Sequence, residues 1–346
     1  MVAYHGLRVA AVERLCADAV AVTFAVPPEL AGQFAFRPGQ SLTVRRNDER
    51  RTYSISAPFG SLPRIGVREV PGGLVSSWLV HQVRPGDVVE VAPPSGSFTP
   101  DLERGGRHVL IAAGSGITPV LSIAASLLRH PTSQVSILYG NRRAETVMFA
   151  EDLADLKDAY SDRLELVHVL SREARETELL SGRLDAEKLR TLLPLLIDVD
   201  GVDHWWLCGP YGMVSDAVAV LGSYGTSDDR IHRELFWVDE APPELIRDER
   251  QSDGTPTEVT VVLDGRATTI AVAAGQTILE GAQRSRPDLP FACKGGVCGT
   301  CRAKVTEGEV RMRRNFALEA GEVAQGYVLT CQAIPETVKV IADFDV

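Results

Sequence analysis

Hydrophobic and polar positions change rhythm three times along this chain. As far as about Glu103, short alternating runs dominate: Arg8–Val12, Ala19–Val26, Gln40–Arg45, Ile65–Val70 and Asp87–Val91. Turn residues break them at Pro27-Pro28, Pro38-Gly39, Pro71-Gly72-Gly73, Pro85-Gly86 and Pro93-Pro94. Alternation turns every second side chain to one face, so closely spaced runs of this kind predict an antiparallel β-barrel over 1–103. From 104 to 238 the rhythm lengthens. Apolar runs at His108–Ala112, Val135–Tyr139, Leu164–Leu170 and His204–Cys208 alternate with helical stretches such as Pro119–Leu128. Strands spaced by helices predict an α/β domain with a parallel sheet and crossover helices.

The stretch 239–256 holds Pro242-Pro243, many charges and Asp253-Gly254, and reads as a linker. In the third block, 257–346, Val259–Leu263 and Thr268–Val272 flank Asp264-Gly265, a hairpin signal. Gln276–Arg284 reads as a short helix and Val338–Ile341 as a closing strand. The expected fold class is multidomain.

A chain of 346 residues exceeds one compact core, which agrees with this division. The net charge of −10 argues against general nucleic-acid binding, which needs a basic face. No apolar run is long enough to span a bilayer, and charges enter Met1–Arg14 before a signal-peptide core forms. The expectation is a cytoplasmic protein without a membrane or nucleic-acid partner.

Four of the six cysteines crowd the last block as Cys293-x4-Cys298-x2-Cys301 with Cys331 downstream. That spacing is the one of plant-type [2Fe–2S] sites. Gly295, Gly296 and Gly299 let backbone N–H groups turn toward an anionic cluster, and thiolates suit iron. Zinc sites favour paired two-residue gaps, and only one gap here is that short. Disulfides would leave the glycine-packed loop unexplained. Cys16 and Cys208 stand apart.

Two upstream blocks carry further chemistry. Arg51-Thr52-Tyr53-Ser54 offers a cation for a flavin phosphate, a ring to lie against a flavin and a hydroxyl near its reactive nitrogen. Gly72–Ser77 could open a helix toward phosphate. Taken singly, such runs are more often plain strand and turn. Gly114-Ser115-Gly116-Ile117-Thr118-Pro119 joins a parallel strand to a helix, where a dinucleotide pyrophosphate is favoured. It departs from the Gly-x-Gly-x-x-Gly fingerprint. Cys208-Gly209-Pro210 ends a later strand. Cys208 can sit beside a nicotinamide ring or be a small buried hydrophobe, and the sequence leaves both open. Arg142, Ser171 and Arg172 follow strand ends without an acidic residue, which favours NADPH over NADH. The alternative is that these arginines are solvated surface charges.

In these segments, and in the tail Asn315–Asp345, the chain resembles ferredoxin–NADP reductase-type modules fused to a C-terminal plant-type ferredoxin of β-grasp, α+β form, the reductases that serve bacterial oxygenases. The resemblance implies that Arg51, Thr52, Tyr53 and Ser54 contact the flavin, that Val67 and Arg68 line it, and that Gly73, Leu74, Val75 and Ser76 hold its phosphates. FAD is the implied flavin. Gly114, Ser115, Gly116 and Thr118, with Cys208, Gly209 and Pro210, would frame NADPH. Phe236 would stack near the flavin ring, unless it is a core phenylalanine. Cys293, Cys298, Cys301 and Cys331 would ligate the [2Fe–2S] cluster, the first two on its more exposed iron. Ser54 and Cys208 are the residues expected closest to hydride transfer, and no acid–base dyad is expected. The implied partner is the oxygenase component of a multicomponent complex; a Rieske-type, steroid hydroxylase or desaturase system is an alternative. A redox carrier or sensor without nicotinamide turnover is an alternative of another class.

One charge pattern adds a partner argument. Between Phe291 and Arg314, six basic residues (Lys294, Arg302, Lys304, Arg311, Arg313 and Arg314) face only Glu307 and Glu309. Such a rim could steer an acidic surface toward the cluster or be ordinary solvated charge.

Overall fold

A computed structural model describes residues 4–47, 49–174, 177–237, 256–291, 293–318 and 320–346. It divides into two compact units, Tyr4–Trp237 and the C-terminal part from Pro256 onward. The expected linker falls almost wholly outside the described residues.

The first unit begins with six strands: β1 (His5–Cys16), β2 (Ala19–Ala25), β3 (Ser41–Arg46), β4 (Glu49–Ser54), β5 (Arg64–Arg68) and β6 (Val88–Val91), with helix α1 (Leu74–His81) between the last two. All pairs are antiparallel in the order β4-β3-β6-β1-β2-β5. A bridge between Ile55 and Ile65 joins the two ends, so the sheet closes into a barrel. Its filling is the alternate set read from the sequence, including Leu7, Val9, Val20, Val22, Leu42, Val44 and Val67. The run Arg51–Ser54 lies within β4, paired in a hairpin with β3.

The remainder of this unit is a parallel sheet of β7 (Arg107–Ala113), β8 (Gln134–Asn141), β9 (Leu164–Leu170), β10 (His204–Pro210) and β11 (Ile231–Trp237). Helices α2 (Ile117–Leu127), α3 (Ala150–Ala159), α4 (Ala186–Leu196) and α5 (Tyr211–Ser223) make the crossovers. The strand order is β11-β10-β7-β8-β9. The chain runs outward from β7 through β9, then returns to β10 on the other side of β7. That reversal leaves a crevice at the C-terminal ends of β7 and β10. The α/β core also takes in Ala19, Ala21 and Phe98 from the barrel block. Barrel and sheet therefore share packing.

The second unit holds β12 (Thr257–Leu263), β13 (Arg266–Val272), helix α6 (Ile278–Ala282), β14 (Arg302–Glu307), β15 (Val310–Met312), helix α7 (Ala320–Ala324), β16 (Tyr327–Leu329), β17 (Ala333–Pro335) and β18 (Lys339–Asp343). Five strands form one sheet in the order β13-β12-β18-β14-β16, and β15 pairs with β17. The Asp264-Gly265 turn has both residues at positive φ, 55° and 67°, as a two-residue hairpin of this type requires. Helix α6 starts at a capping box in which Thr277 and Glu280 satisfy each other's backbone N–H.

Candidate functional site

In the first unit the crevice is built on backbone. Gly114–Gly116 forms one tight turn at the end of β7, and α2 starts directly after it. A Cβ at Gly116 would stand 2.2 Å from the Cys208 carbonyl oxygen, so only glycine lets this loop pass the end of β10. The Thr118 hydroxyl donates to Ser115 O at 2.8 Å, and the Tyr139 hydroxyl donates to Gly114 O at 2.9 Å. Pro210 caps α5, so two helix N-termini meet the crevice at neighbouring strand ends. Their positive dipole ends suit an anionic dinucleotide.

One constellation joins barrel to sheet. Ser54, at the end of β4, donates its hydroxyl to Glu234 Oε2 at 3.3 Å. The Cys208 thiol on β10 points to the same oxygen at 4.0 Å. Adjacent β10 and β11 place Cys208 directly opposite Glu234. Glu234 keeps some solvent exposure, yet the protein packed around its carboxylate pushes its pKa up to about 7, against a lowering bond from Ser54. Burial pushes the Cys208 thiol well up, with Glu234 adding to the effect. Cys208 is wholly buried in the α/β core. Sequence reasoning passed over Glu234, because a glutamate in an alternating strand looks solvent-facing. Its position two residues after His232, opposite a strand ending in Cys-Gly-Pro, was the available signal.

The other flavin-side residues divide. Arg51 is exposed and paired with Glu49 at 2.8 Å. Thr52 meets Thr43 across the hairpin at 3.2 Å. Tyr53 packs on the barrel core, and burial raises its hydroxyl pKa. At the start of α1, Gly73 is the N-cap, and the N–H groups of Leu74, Val75 and Ser76 precede the first intrahelical bond, from Ser77 to Gly73. Arg46 donates to Leu74 O at 2.9 Å and lies over the Trp78 ring. An open helix start beside Arg46, with a half-buried tyrosine and the Ser54 hydroxyl at one strand end, is a donor set that fits a flavin nucleotide.

One expectation needs correction. Val67 does not present its side chain to a flavin; it is fully buried inside the barrel, because strand alternation puts it on the inner face. Arg68 turns toward the nucleotide side. Its guanidinium donates to Thr146 O at 2.5 Å and Cys16 Sγ at 3.6 Å, and lies 3.3 Å from where a Gly114 Cβ would be. Neighbouring strand residues face opposite ways, so Val67 and Arg68 cannot line one surface. Phe236 sits at a register irregularity of β11 and is partly buried against the α/β core, which leaves both of its readings standing.

On the nucleotide side, β8 and β9 end together. Ser171 N bonds Asn141 O at 2.9 Å and Arg172 N bonds Arg142 O at 2.8 Å. Arg142 and Arg172 are both exposed there.

The four clustered cysteines belong to the second unit and fall into two pairs. The Cys293 thiol is pulled down to about 5, first by a hydrogen bond with Cys298 and then by the backbone N–H groups of Val297, Gly295 and Cys298. Gly295 N donates to Cys293 Sγ at 3.3 Å. Cys331 is lowered by its bond with Cys301, which is raised in turn. Two thiol pairs, Cys293 with Cys298 and Cys301 with Cys331, supply the four sulfur donors that a two-iron cluster takes. Cys293 is exposed and Cys298 partly so, while Cys301 and Cys331 are buried.

The basic rim shrinks on folding. Arg302 pairs with Glu322 at 2.6 Å, Arg311 with Glu336 at 2.9 Å, and Arg313 approaches Glu280 at 4.0 Å. These acids lie outside the window Phe291–Arg314. Lys339, also outside that window, pairs with Glu307 at 3.0 Å, so the rim keeps about half of its basic excess.

Three family models match in chain order: the oxidoreductase FAD-binding domain over residues 6–99, the oxidoreductase NAD-binding domain over 110–219 and the 2Fe-2S iron-sulfur cluster binding domain over 261–336. The chain belongs to the ferredoxin–NADP reductase-type flavoproteins with a C-terminal plant-type [2Fe–2S] domain, the reductase components of multicomponent oxygenases. It is an oxidoreductase with domains for FAD, a nicotinamide dinucleotide and a 2Fe–2S cluster. It is 44% identical to a subunit of the 1,2-phenylacetyl-CoA epoxidase of Escherichia coli (strain K12), over 100% of this chain and 99% of that one. To the ferredoxin reductase component of 3-ketosteroid-9-alpha-monooxygenase from Rhodococcus rhodochrous it is 35% identical, over 96% and 94%. Phthalate dioxygenase reductase has a similar fold, with a TM-score of 0.61 at 22% identity, covering 99% of this chain and 98% of that one. No helix among the described residues is long and apolar enough to cross a membrane.

Proposed function

We propose that this chain takes electrons from NADPH and delivers them to the oxygenase component of a phenylacetyl-CoA epoxidase, in the cytoplasm. Bound FAD would supply the conversion of a two-electron hydride into the single electrons that a [2Fe–2S] cluster takes. The chain's own part is positional. The turn at Gly114–Gly116 and the start of α5 bind the dinucleotide, and Arg68 closes the turn from the barrel side. Ser54 and Glu234 hold a proton beside the site of hydride arrival, and Cys208 fixes the depth of the crevice floor. Arg51 and Tyr53 with the start of α1 seat the flavin nucleotide, and Arg142, Ser171 and Arg172 read the adenosine 2′-phosphate. Cys293, Cys298, Cys301 and Cys331 hold the cluster. The working domains are 1–103, 104–238 and 257–346, joined by 239–256.

The observation that carries the electron path is the meeting of Ser54, Cys208 and Glu234, from three separate strands, at the switch point of the sheet. The choice of epoxidase rests on the full-length relative. The test is anaerobic titration of the flavin- and cluster-loaded protein with NADPH and NADH, then steady-state transfer to the epoxidase. Bleaching by both nucleotides, with kcat/KM at least tenfold higher for NADPH, is the expected result. No preference would remove the 2′-phosphate assignment. Bleaching without transfer to the epoxidase would move the partner to a steroid or Rieske-type oxygenase or a desaturase. No bleaching by either nucleotide would leave only a carrier or sensor.

A further inference from the structure

Gln332 follows the fourth cysteine directly, and neither cluster ligation nor the core accounts for its side chain. It is buried, at 7% exposure. Its backbone is fixed on both sides: Gln332 N donates to Leu329 O at 2.8 Å, and Gln332 O accepts from Arg313 N at 2.9 Å. The side chain then turns toward the cysteine loop. One nitrogen, Nε2, donates to Lys294 O at 2.8 Å and to Cys331 Sγ at 3.6 Å. A primary amide has two hydrogens on that nitrogen, so both bonds can form at once. Gly296 lies against the same side chain: a Cβ there would stand 3.0 Å from Gln332 Cγ.

Both bonds bear on the cluster. Lys294 has φ +53°, a left-handed conformation that disfavours a lysine and must be held by its surroundings. The amide bond to its carbonyl ties that strained residue, and the Cys293–Gly296 turn with it, to the turn between β16 and β17 that bears Cys331. The second bond puts a donor on a ligand sulfur. Reduction adds negative charge to a cluster, and N–H groups aimed at its sulfurs favour the reduced state.

We infer that Gln332 is a positioning residue that sets the reduction potential of the cluster, by donating to Cys331 while locking the Lys294 turn. This rests on the reading of the four cysteines as a [2Fe–2S] site. The test is Gln332→Met, which keeps length and volume but has no donor, purified with its cofactors. Iron and acid-labile sulfide content, the EPR spectrum of the reduced cluster and its midpoint potential are measured. The expected result is a cluster-replete variant with altered g values and a lower potential. At a fixed potential near the midpoint, the oxidised-to-reduced ratio rises about tenfold, equivalent to ~59 mV for one electron. An unchanged potential in a replete variant overturns the inference and leaves the cluster reading intact. Wild-type protein without iron and sulfide overturns both.

If the variant loses its cluster, the wild type decides. Pulsed EPR of reduced protein labelled with side-chain [15N]glutamine should show a nitrogen coupling that Gln332→Leu or Gln332→Met protein made under the same label, reconstituted as needed, lacks. No such coupling in the wild type overturns the inference.

Discussion

Gly116→Ala tests the geometry of the nucleotide crevice most directly. The new Cβ would stand 2.2 Å from Cys208 O, 2.6 Å from Cys208 C and 3.0 Å from Gly209 N. Ordinary contact begins near 3.4 Å, so the Gly114–Gly116 turn and the end of β10 must part by roughly 1 Å. All three opposing atoms are backbone, so no side-chain rotation relieves the clash. Overpacking of this kind costs about 1–3 kcal/mol, and a misplacement of ~1 Å between reacting groups costs about 100-fold in rate. The expected outcome is full flavin content, a melting temperature several degrees lower and a flavin reduction rate about 100-fold slower at saturating NADPH. Anaerobic stopped-flow absorbance and scanning calorimetry measure these. Gly222→Ala, at the far end of α5, is the control, because a Cβ there meets nothing within 4 Å. If Gly116→Ala reduces its flavin at the wild-type rate, the close approach of these two backbones does not position the nicotinamide.

Two pH dependences follow from buried groups. Glu234 has its pKa raised to about 7 mainly by burial, so it is protonated below that value and charged above it. The flavin reduction rate should therefore inflect near pH 7, and Glu234→Gln should flatten the profile across pH 6–8; an unchanged inflection would assign it elsewhere. His108 is held at about 4 by burial first and by His204 second, while Trp206 Nε1 donates to its Nδ1 at 3.4 Å. A histidine with a depressed folded pKa is protonated first in the unfolded chain, so stability is full above pH ~6.5 and falls as pH drops toward 4. At about 1.4 kcal/mol per pH unit the loss approaches ~3 kcal/mol. Urea denaturation at pH 7 and pH 4.5 should show this loss, and His108→Gln should show much less of it.

Local chemistry was the legible part of the chain. The Asp264-Gly265 hairpin, the glycine turn after β7 and the cysteine loop each declare themselves within ten residues, because turns and metal loops are short-range solutions. Glu234 was not legible, since its meaning comes from Ser54, 180 residues away, and Cys208, on a neighbouring strand. The rim around the cysteine loop was overcounted for the same reason: Glu280, Glu322 and Glu336 return to it only through the fold. Val67 and Arg68 were assigned to one surface although their strand turns them to opposite ones.

The contacts of Arg68 and Ser54 bear on how such reductases can be recombined. A flavin barrel that reaches across to Thr146 and Glu234 is matched to its own nucleotide sheet. Gly66 reinforces the match, because a Cβ there would stand 2.8 Å from Thr118 Oγ1 and 2.9 Å from Phe149. A chimera joined near residue 103 would inherit a mismatched seam, whereas one joined between 238 and 255 would carry Tyr4–Trp237 intact. For the first unit, the heritable block is barrel and sheet together.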